Sequence, residues 1–171
     1  MAVDLRLYAL LDPAQSGGHS MAELANCVAL GATLVQLRDK HGTTREMIER
    51  ARSVKAALPA DVPLLINDRV DVALAAQADG VHIGWDDMDA AEARLLLGKQ
   101  AIIGLSLKTV AQARAAPVEK LDYVAIGGVF ATRSKDNSDR PVGLGGFHAI
   151  LVLANLQAHR FRKAKHSGIG I

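Results

Sequence analysis

The sequence predicts an α/β fold of parallel strands and helices, closed into a (β/α) barrel rather than an open sheet. Short apolar runs without polar alternation take turns with helical patterns at least five times, about twenty to thirty residues apart. Half of the residues are hydrophobic but only 4% are aromatic, a balance that suits buried parallel strands covered by helices. The first strand is followed by LDPA (residues 11–14), without the glycine-rich fingerprint typical of doubly wound nucleotide-binding folds.

The individual elements follow from the apolar runs and from helix-capping signals. Ser20 with Glu23, and Thr43 with Glu46, each form the pair of a capping box at the start of a helix. The predicted strands are residues 5–11, 33–37, 63–66, 80–83, 101–105 and 121–126. The predicted helices are residues 20–30, 43–58, 70–77, 89–97 and 110–116.

Composition limits the classes of function. The formal charge of the 171 residues is only +2, and the basic segment HRFRKAKH (159–166) is expected to be a solvated last helical turn, so we expect no nucleic-acid partner. No apolar run approaches the length of a membrane span, and Asp4, Arg6 and Asp12 interrupt any signal peptide. We expect no membrane partner and a cytoplasmic location. Cys27 is the single cysteine; it excludes an internal disulfide, and we expect it in the core.

Polar or glycine-rich residues follow successive strands. In a parallel barrel the strand ends meet on one face, so such residues form a common binding rim. Capping of the next helix is the better explanation for any single strand end, but five in succession with alternating charge signs favour the rim. In chain order they are Gln36, Arg38, Asp39 and Lys40; Asn67 and Asp68; Asp86 and Asp87; Ser106 and Lys108; and Gly127–Gly128 followed by Thr132, Ser134 and Lys135.

The rim residues indicate binding of phosphate with a magnesium ion. Asp68 and Asp87 follow neighbouring strands, and a site of few oxygen ligands suits Mg²⁺ completed by substrate phosphate. His82 is expected to point away from the rim, which disfavours zinc. Arg38, Lys40 and the segment GGVFATRSK (127–135) supply positive charge and backbone N–H groups for phosphate oxygens.

Several of these segments together resemble the thiamine phosphate synthase family. The segments are VQLRDK (35–40), LLINDRVDVAL (64–74), ADGVHIGWDDM (78–88), IIGLS (102–106) and DYVAIGGVFATRSK (122–135). The likeness covers residues 5–150, in the family's order and spacing. It implies a (β/α)8 TIM-type barrel and an enzyme that joins hydroxymethylpyrimidine diphosphate to thiazole phosphate, with release of diphosphate and without a protein nucleophile.

The resemblance also implies roles for the rim residues. The pyrimidine diphosphate would be held by Gln36, Leu37, Arg38, Asp39, Lys40, Asn67, Ser106 and Lys135, of which Arg38, Lys40, Ser106 and Lys135 are the predicted catalytic residues. Asp68 and Asp87 would bind Mg²⁺, with Asp86 capping the next helix. Thr132, Arg133 and Ser134 would face the thiazole phosphate.

The sequence departs from the family in two places. Trp85 stands where the family has glutamine, and it would either narrow the pocket or cover a neighbouring helix. Residues 151–171 match the family poorly, although SGIGI (167–171) could be a remnant of the seventh strand. We therefore expect one barrel domain over residues 1–171 with six to seven β/α units, truncated or divergent at its end.

Three functional readings remain open at this stage. The first is a Mg²⁺-dependent synthase with small-molecule substrates, in which a second copy of the chain could cover the open side of the barrel. The second is a truncated, weakly active or non-catalytic chain that binds one ligand. The third is a thiazole tautomerase-like isomerase, which would need neither diphosphate nor Mg²⁺; QLRDK together with Asp68 and Asp87 argues against it.

Overall fold

The computed structural model describes residues 3–131 and 141–166. Six strands form one parallel sheet in the order β1-β2-β3-β4-β5-β6. They are β1 (Tyr8–Leu11), β2 (Leu34–Leu37), β3 (Leu64–Asn67), β4 (Gly80–Ile83), β5 (Ile102–Leu107) and β6 (Tyr123–Ile126). This sequential order is that of a barrel, and the curled sheet confirms the predicted incomplete α/β barrel.

A helix follows each strand and covers the outside of the sheet. The helices are α1 (Met21–Val28), α2 (Thr44–Ala57), α3 (Val70–Ala76), α4 (Ala90–Leu97), α5 (Val110–Ala115) and α6 (Gly143–His166), with short 3₁₀ turns at Pro13–Gln15 and Val118–Lys120. Both predicted capping boxes are present, at Ser20 with Glu23 and at Thr43 with Glu46. The basic segment 159–166 is helical, within α6. The proposed strand remnant at 167–171 lies outside the described residues.

The main core lies between the sheet and the helices. In β2, for example, Val35 and Leu37 pack into this core, whereas Leu34 packs with Leu65 and Tyr123 in a second cluster on the inner face of the sheet. Alternate residues of every strand therefore face the barrel interior. This alternation decides which side chains can reach a site at the strand ends.

Two predictions about single residues are wrong. Cys27 is exposed on α1, since the helix turns Met21 and Ala25 toward the core instead. The cap of α4 is Asp89, whose carboxylate accepts a hydrogen bond from the Ala91 N–H at 2.7 Å. Asp86 lies too far before the first helical turn to act as its cap.

Among the described residues, no helix combines the length and the apolar composition that a membrane span requires.

Candidate functional site

A cavity of about 310 Å³ lies at the carboxyl ends of β2–β5. Six of the predicted substrate- and metal-binding residues line it, together with two further rim residues, Asp86 and Lys108. The six are Arg38, Lys40, Asn67, Asp68, Asp87 and Ser106. Because the parallel strands all end at this face, side chains far apart in sequence share one space. Trp85 also lines the cavity and is 40% exposed, so it forms part of the cavity wall.

A second cavity of about 460 Å³ opens at the other end of the sheet, beside α3 and α4. Its walls are mostly aliphatic, and its one carboxylate, Asp79, is occupied by Lys55 and by the Leu64 N–H. The second cavity is larger, but it gathers no groups suited to acid–base or phosphate chemistry. The smaller cavity is therefore the candidate site.

Two carboxylates face each other in the candidate site. Partial burial raises the pKa of the Asp87 carboxyl, and the neighbouring Asp68 raises this pKa further. Lys40 forms an ion pair with Asp68 and partly offsets the repulsion. The arrangement attracts positive charge, because a cation would relieve the repulsion between the two acids.

Local backbone geometry fixes both acids. Asp68 has a left-handed φ of 63°, which is uncommon for a residue other than glycine. Its N–H donates to the His82 carbonyl at 2.8 Å, and the next N–H, of Arg69, donates to the Asn67 carbonyl at 2.7 Å. The Asp87 carboxylate accepts the Gly84 N–H at 2.7 Å. Asp68 is thus held in a tight turn directly after β3, with the backbone strain that often accompanies functional positions.

Arg38 and Asn67 contribute donors. The Arg38 guanidinium donates to Asp12 at 2.5 Å, an ion pair between residues that follow the neighbouring strands β1 and β2. Asn67 ends β3, and its side-chain Nδ2 is buried without a hydrogen-bond partner among the described residues. An unpaired buried donor is costly unless a ligand or water accepts its hydrogen bond. It suits a polar ligand in this cavity.

Three predicted residues do not line the cavity. The Leu37 side chain lies in the main core, so only its backbone could reach a ligand. The Asp39 carboxylate accepts the N–H groups of His41 and Gly42 and pairs with Arg50, and thereby shapes the loop after β2. Gln36 is buried in the interior and donates to the Tyr8 hydroxyl at 2.5 Å. Their role in binding stays a prediction.

Four further predicted residues, Thr132, Arg133, Ser134 and Lys135, lie outside the described residues. The flanking chain is anchored at both sides of that segment. The Val142 N–H donates to the Gly128 carbonyl at 2.8 Å, and the Gly143 N–H donates to the Val129 carbonyl at 3.0 Å. The two ends of the segment are therefore held together at the end of β6, beside the candidate site.

The expectation that His82 points away from the rim is wrong. Its neighbours Val81 and Ile83 pack into the main core, so alternation along β4 turns His82 into the interior. There its Nε2 lies 2.8 Å from the Ser106 hydroxyl oxygen and its Nδ1 lies 2.8 Å from that of Tyr123. Burial lowers the His82 pKa to about 4, with Asp87 opposing, so the ring is neutral at pH 7. Strand parity alone could have identified this residue.

Known proteins are similar to this chain in sequence and in fold. A family model described as thiamine monophosphate synthase matches residues 7–158. A thiamine-phosphate synthase from Agrobacterium fabrum is 56% identical over 153 residues, which are 88% of this chain and 70% of the relative. One from Chloroflexus aurantiacus is 45% identical over 150 residues, 86% of this chain and 69% of the relative.

The chain belongs to the thiamine monophosphate synthase family. A solved structure, the thiamine phosphate pyrophosphorylase from Pyrococcus furiosus, superposes with a TM-score of 0.71 at 32% identity, covering 86% of this chain and 70% of the other. The synthase resemblance of the sequence segments is thereby confirmed. The family also explains why charged residues gather at the strand ends, where barrel enzymes carry their chemistry.

Within this synthase-family chain, the acidic pair suits a hard cation. In residues 3–131 and 141–166, no group of three or more His, Cys, Asp or Glu side chains is placed to hold a metal ion. Two neighbouring carboxylates that line one cavity match Mg²⁺, which keeps several waters and takes its remaining ligands from substrate phosphate. Asp68 and Asp87 therefore fit a metal that binds together with a phosphorylated ligand.

Proposed function

We propose that this chain is a Mg²⁺-dependent thiamine phosphate synthase, which joins hydroxymethylpyrimidine diphosphate to thiazole phosphate and releases diphosphate. The observation that carries the proposal is the facing pair Asp68 and Asp87 beside Lys40 and Arg38 in one cavity. Carboxylates for a metal and cations for phosphate oxygens, in the same cavity, match a diphosphate as the bound group.

The chain's own residues would act on the leaving group. The methylene–oxygen bond breaks, and diphosphate departs with the bonding electron pair. Arg38, fixed by Asp12, and Lys40 stabilise the negative charge that grows on the diphosphate oxygens, and Ser106 donates a hydrogen bond in the same cavity. Asp68 and Asp87 would hold Mg²⁺, which would supply further positive charge to the diphosphate oxygens.

The second substrate then uses the cation that remains. The thiazole nitrogen donates its lone pair to the pyrimidine methylene carbon and forms the new carbon–nitrogen bond. The cavity wall, including Trp85, would limit the access of water to this cation. No protein nucleophile takes part, which agrees with the exposed position of Cys27 on α1, outside the cavity.

Thr132–Ser134 and Lys135 stay predicted contacts of the two phosphorylated substrates.

The decisive experiment measures product and binding on the same preparation. The purified chain with both substrates and Mg²⁺ should form thiamine phosphate and diphosphate in equal amounts. Calorimetry should show that the pyrimidine diphosphate binds in Mg²⁺ and at least tenfold more weakly in EDTA, because two carboxylates without a cation repel a diphosphate. Asp87→Asn should remove most of the difference between Mg²⁺ and EDTA.

Asp89→Asn is the matched control for charge. It removes a carboxylate two residues away but keeps a side-chain oxygen that can cap α4, so the Mg²⁺ dependence should be unchanged. Equal affinity in Mg²⁺ and EDTA for the unmodified chain would contradict the metal assignment. Tight binding without product would identify a binding protein, and isomerisation of a thiazole without need for Mg²⁺ would identify a tautomerase.

A further inference from the structure

A continuous line of polar side chains crosses the barrel interior beneath the candidate site. Gln36 Nε2 lies 2.5 Å from the Tyr8 hydroxyl, which lies 2.8 Å from the Tyr123 hydroxyl. The Tyr123 hydroxyl lies 2.8 Å from His82 Nδ1, and His82 Nε2 lies 2.8 Å from the Ser106 hydroxyl. The line joins strands β2, β1, β6, β4 and β5 in that order, and it ends at the cavity.

The chemistry of the five groups gives the line one direction. The Gln36 amide nitrogen can only donate, so the Tyr8 oxygen accepts its bond and the single Tyr8 proton is left for Tyr123. The Tyr123 oxygen then accepts from Tyr8, and its own proton goes to His82 Nδ1. In the opposite direction the Tyr8 oxygen would accept from both Gln36 and Tyr123, and the proton of the part-buried Tyr8 hydroxyl would have no acceptor in the line. The direction toward Ser106 leaves over only the Ser106 proton, which lies at the cavity, and it is therefore the favoured one.

The direction of hydrogen-bond donation along the line fixes the tautomer of His82 and the orientation of the Ser106 hydroxyl. A neutral imidazole that accepts at Nδ1 carries its proton on Nε2, and it donates that proton to the Ser106 oxygen. The Ser106 hydroxyl proton then has no role within the line. Since Ser106 lines the cavity, this proton is available to an acceptor bound there.

We propose that Tyr123 and His82 are positioning residues, which hold Ser106 as a hydrogen-bond donor toward the pyrimidine diphosphate. The proposal rests on the proposed function for the identity of the ligand, whereas the direction of the line rests on the free protein. A hydroxyl that is already oriented loses little freedom when the ligand binds. It therefore contributes more to affinity than a freely rotating one would.

The packing around Tyr123 and His82 holds both rings in place. Tyr123 and His82 are each 9% exposed, and their rings stack with centroids 5.5 Å apart. The Tyr123 ring crosses Gly104 of β5 so closely that a Cβ there would lie 2.1 Å from its Cζ atom. Tyr8 meets Tyr123 edge-on, at 5.9 Å between centroids. The glycine therefore makes room for the one ring position that reaches both His82 and Tyr8.

The tautomer can be measured in the ligand-free protein. Long-range ¹H–¹⁵N spectra of the full chain, with the His82 signals assigned by their loss in His82→Gln, should show a neutral ring protonated on Nε2. Tyr123→Phe removes the donor to Nδ1 but keeps the ring, so it should mix the two tautomers. Tyr8→Phe removes the hydroxyl that links Gln36 to Tyr123 and gives the line its direction, so it should also mix the two tautomers although Tyr123 is still present.

Binding tests whether Tyr123 acts through Ser106. With Mg²⁺ present, Ser106→Ala should weaken the affinity for pyrimidine diphosphate about tenfold, the usual effect of losing a donor to a charged acceptor. Tyr123→Phe should weaken it several-fold in the unmodified chain and not at all in a Ser106→Ala background. Thermal melts should show that each variant remains folded.

The outcomes separate this proposal from the proposed function. A His82 ring protonated on Nδ1, or an equal loss of affinity on Tyr123→Phe in both backgrounds, would overturn the positioning role. Failure of the unmodified chain to bind the pyrimidine diphosphate would instead overturn the proposed function. In that case the tautomer spectra still confirm or reject the direction of the line.

Discussion

The two ends of the sheet use acidic side chains in different ways. At the amino-terminal end, Asp122 accepts the Ile103 N–H at 2.8 Å and an ion pair from Arg94 at 2.7 Å. Asp79 in the same position before β4 accepts the Leu64 N–H and pairs with Lys55, both at 2.8 Å. At the carboxyl end, Asp68 and Asp87 face each other, and the Asn67 side-chain nitrogen has no hydrogen-bond partner among the described residues.

The amino-terminal arrangement recurs before every second strand. Thr33, Asp79 and Asp122 directly precede β2, β4 and β6, and each side-chain oxygen accepts an N–H at the start of the preceding strand. In return the backbone N–H of each of these residues donates to the carbonyl of the same partner residue. We call this arrangement of Thr33, Asp79 and Asp122 the clamp. In it the side-chain oxygen and the backbone N–H of each residue are both hydrogen-bonded, which stabilises the fold, whereas the groups at the other end still need a ligand.

Arg94 provides the strongest test of the stabilising end. Its guanidinium donates to Asp122 and to several backbone carbonyls, among them those of Ala101 at 2.5 Å and Lys120 at 2.9 Å. Arg94→Met leaves these acceptors partly buried without a donor, so we expect a loss of about 4 kcal/mol in the free energy of unfolding. Urea denaturation measures it.

Arg52→Met is the control for this variant. Arg52 is exposed and donates a hydrogen bond to the Ala75 carbonyl at 2.8 Å, so its loss should cost less than about 1 kcal/mol. Because Arg94 lies at the end of the sheet opposite to the candidate site, folded Arg94→Met should bind pyrimidine diphosphate with unchanged affinity. Similar destabilisation by the two variants, or a weaker affinity in folded Arg94→Met, would remove the distinction between the ends.

The elements and the rim were largely predictable because both follow from local rules. Apolar runs located all six strands, although β1 begins at Tyr8 and not at residue 5, and capping boxes located α1 and α2. Six predicted side chains share the cavity because parallel strands end on one face.

The interior line was not predictable from the same rules. Its contacts join residues such as Tyr8 and Tyr123, which are 115 positions apart, and no local pattern indicates such a meeting. The N-cap of α4 is Asp89 and not Asp86 because the turn after β4 includes residues 84–87, and the length of this turn cannot be read from local sequence. Tertiary packing, not propensity, decides both.

His82 lies in the barrel interior between the two ends of the sheet, and its protonation makes the stability of the fold depend on pH. Its folded pKa of about 4 is below the ordinary value of 6.5 because of burial, while Asp87 opposes the shift. As the pH falls from about 6.5 to 4, the unfolded chain takes up a proton that the folded chain does not, so stability falls. The full difference is about 3 kcal/mol.

The measurement compares the unmodified chain with His82→Gln from pH 7 to pH 4. Both proteins lose stability from their other groups, but the unmodified chain should lose about 3 kcal/mol more. The Arg94–Asp122 end contributes equally to both and cancels. Parallel stability curves for the two proteins would show that His82 is not buried in its neutral form.

The smallest expected effect is on ligand affinity, and it is tested on two lysine–aspartate pairs, one at each end of the sheet. Lys40 pairs with Asp68 at the candidate site, and Lys55 pairs with Asp79 at the clamp. Both lysine side chains are partly exposed, so neither pair should contribute more than about 1 kcal/mol to stability. Lys40→Met should nevertheless weaken the affinity for pyrimidine diphosphate about thirtyfold, or about 2 kcal/mol, since a charged donor to the phosphate oxygens is lost. Lys55→Met should leave this affinity unchanged. Calorimetry on the two variants, with Mg²⁺ present, decides the matter: equal affinities would show that Lys40 serves only its ion pair with Asp68, and that the charges at the carboxyl end stabilise the fold as those at the amino-terminal end do.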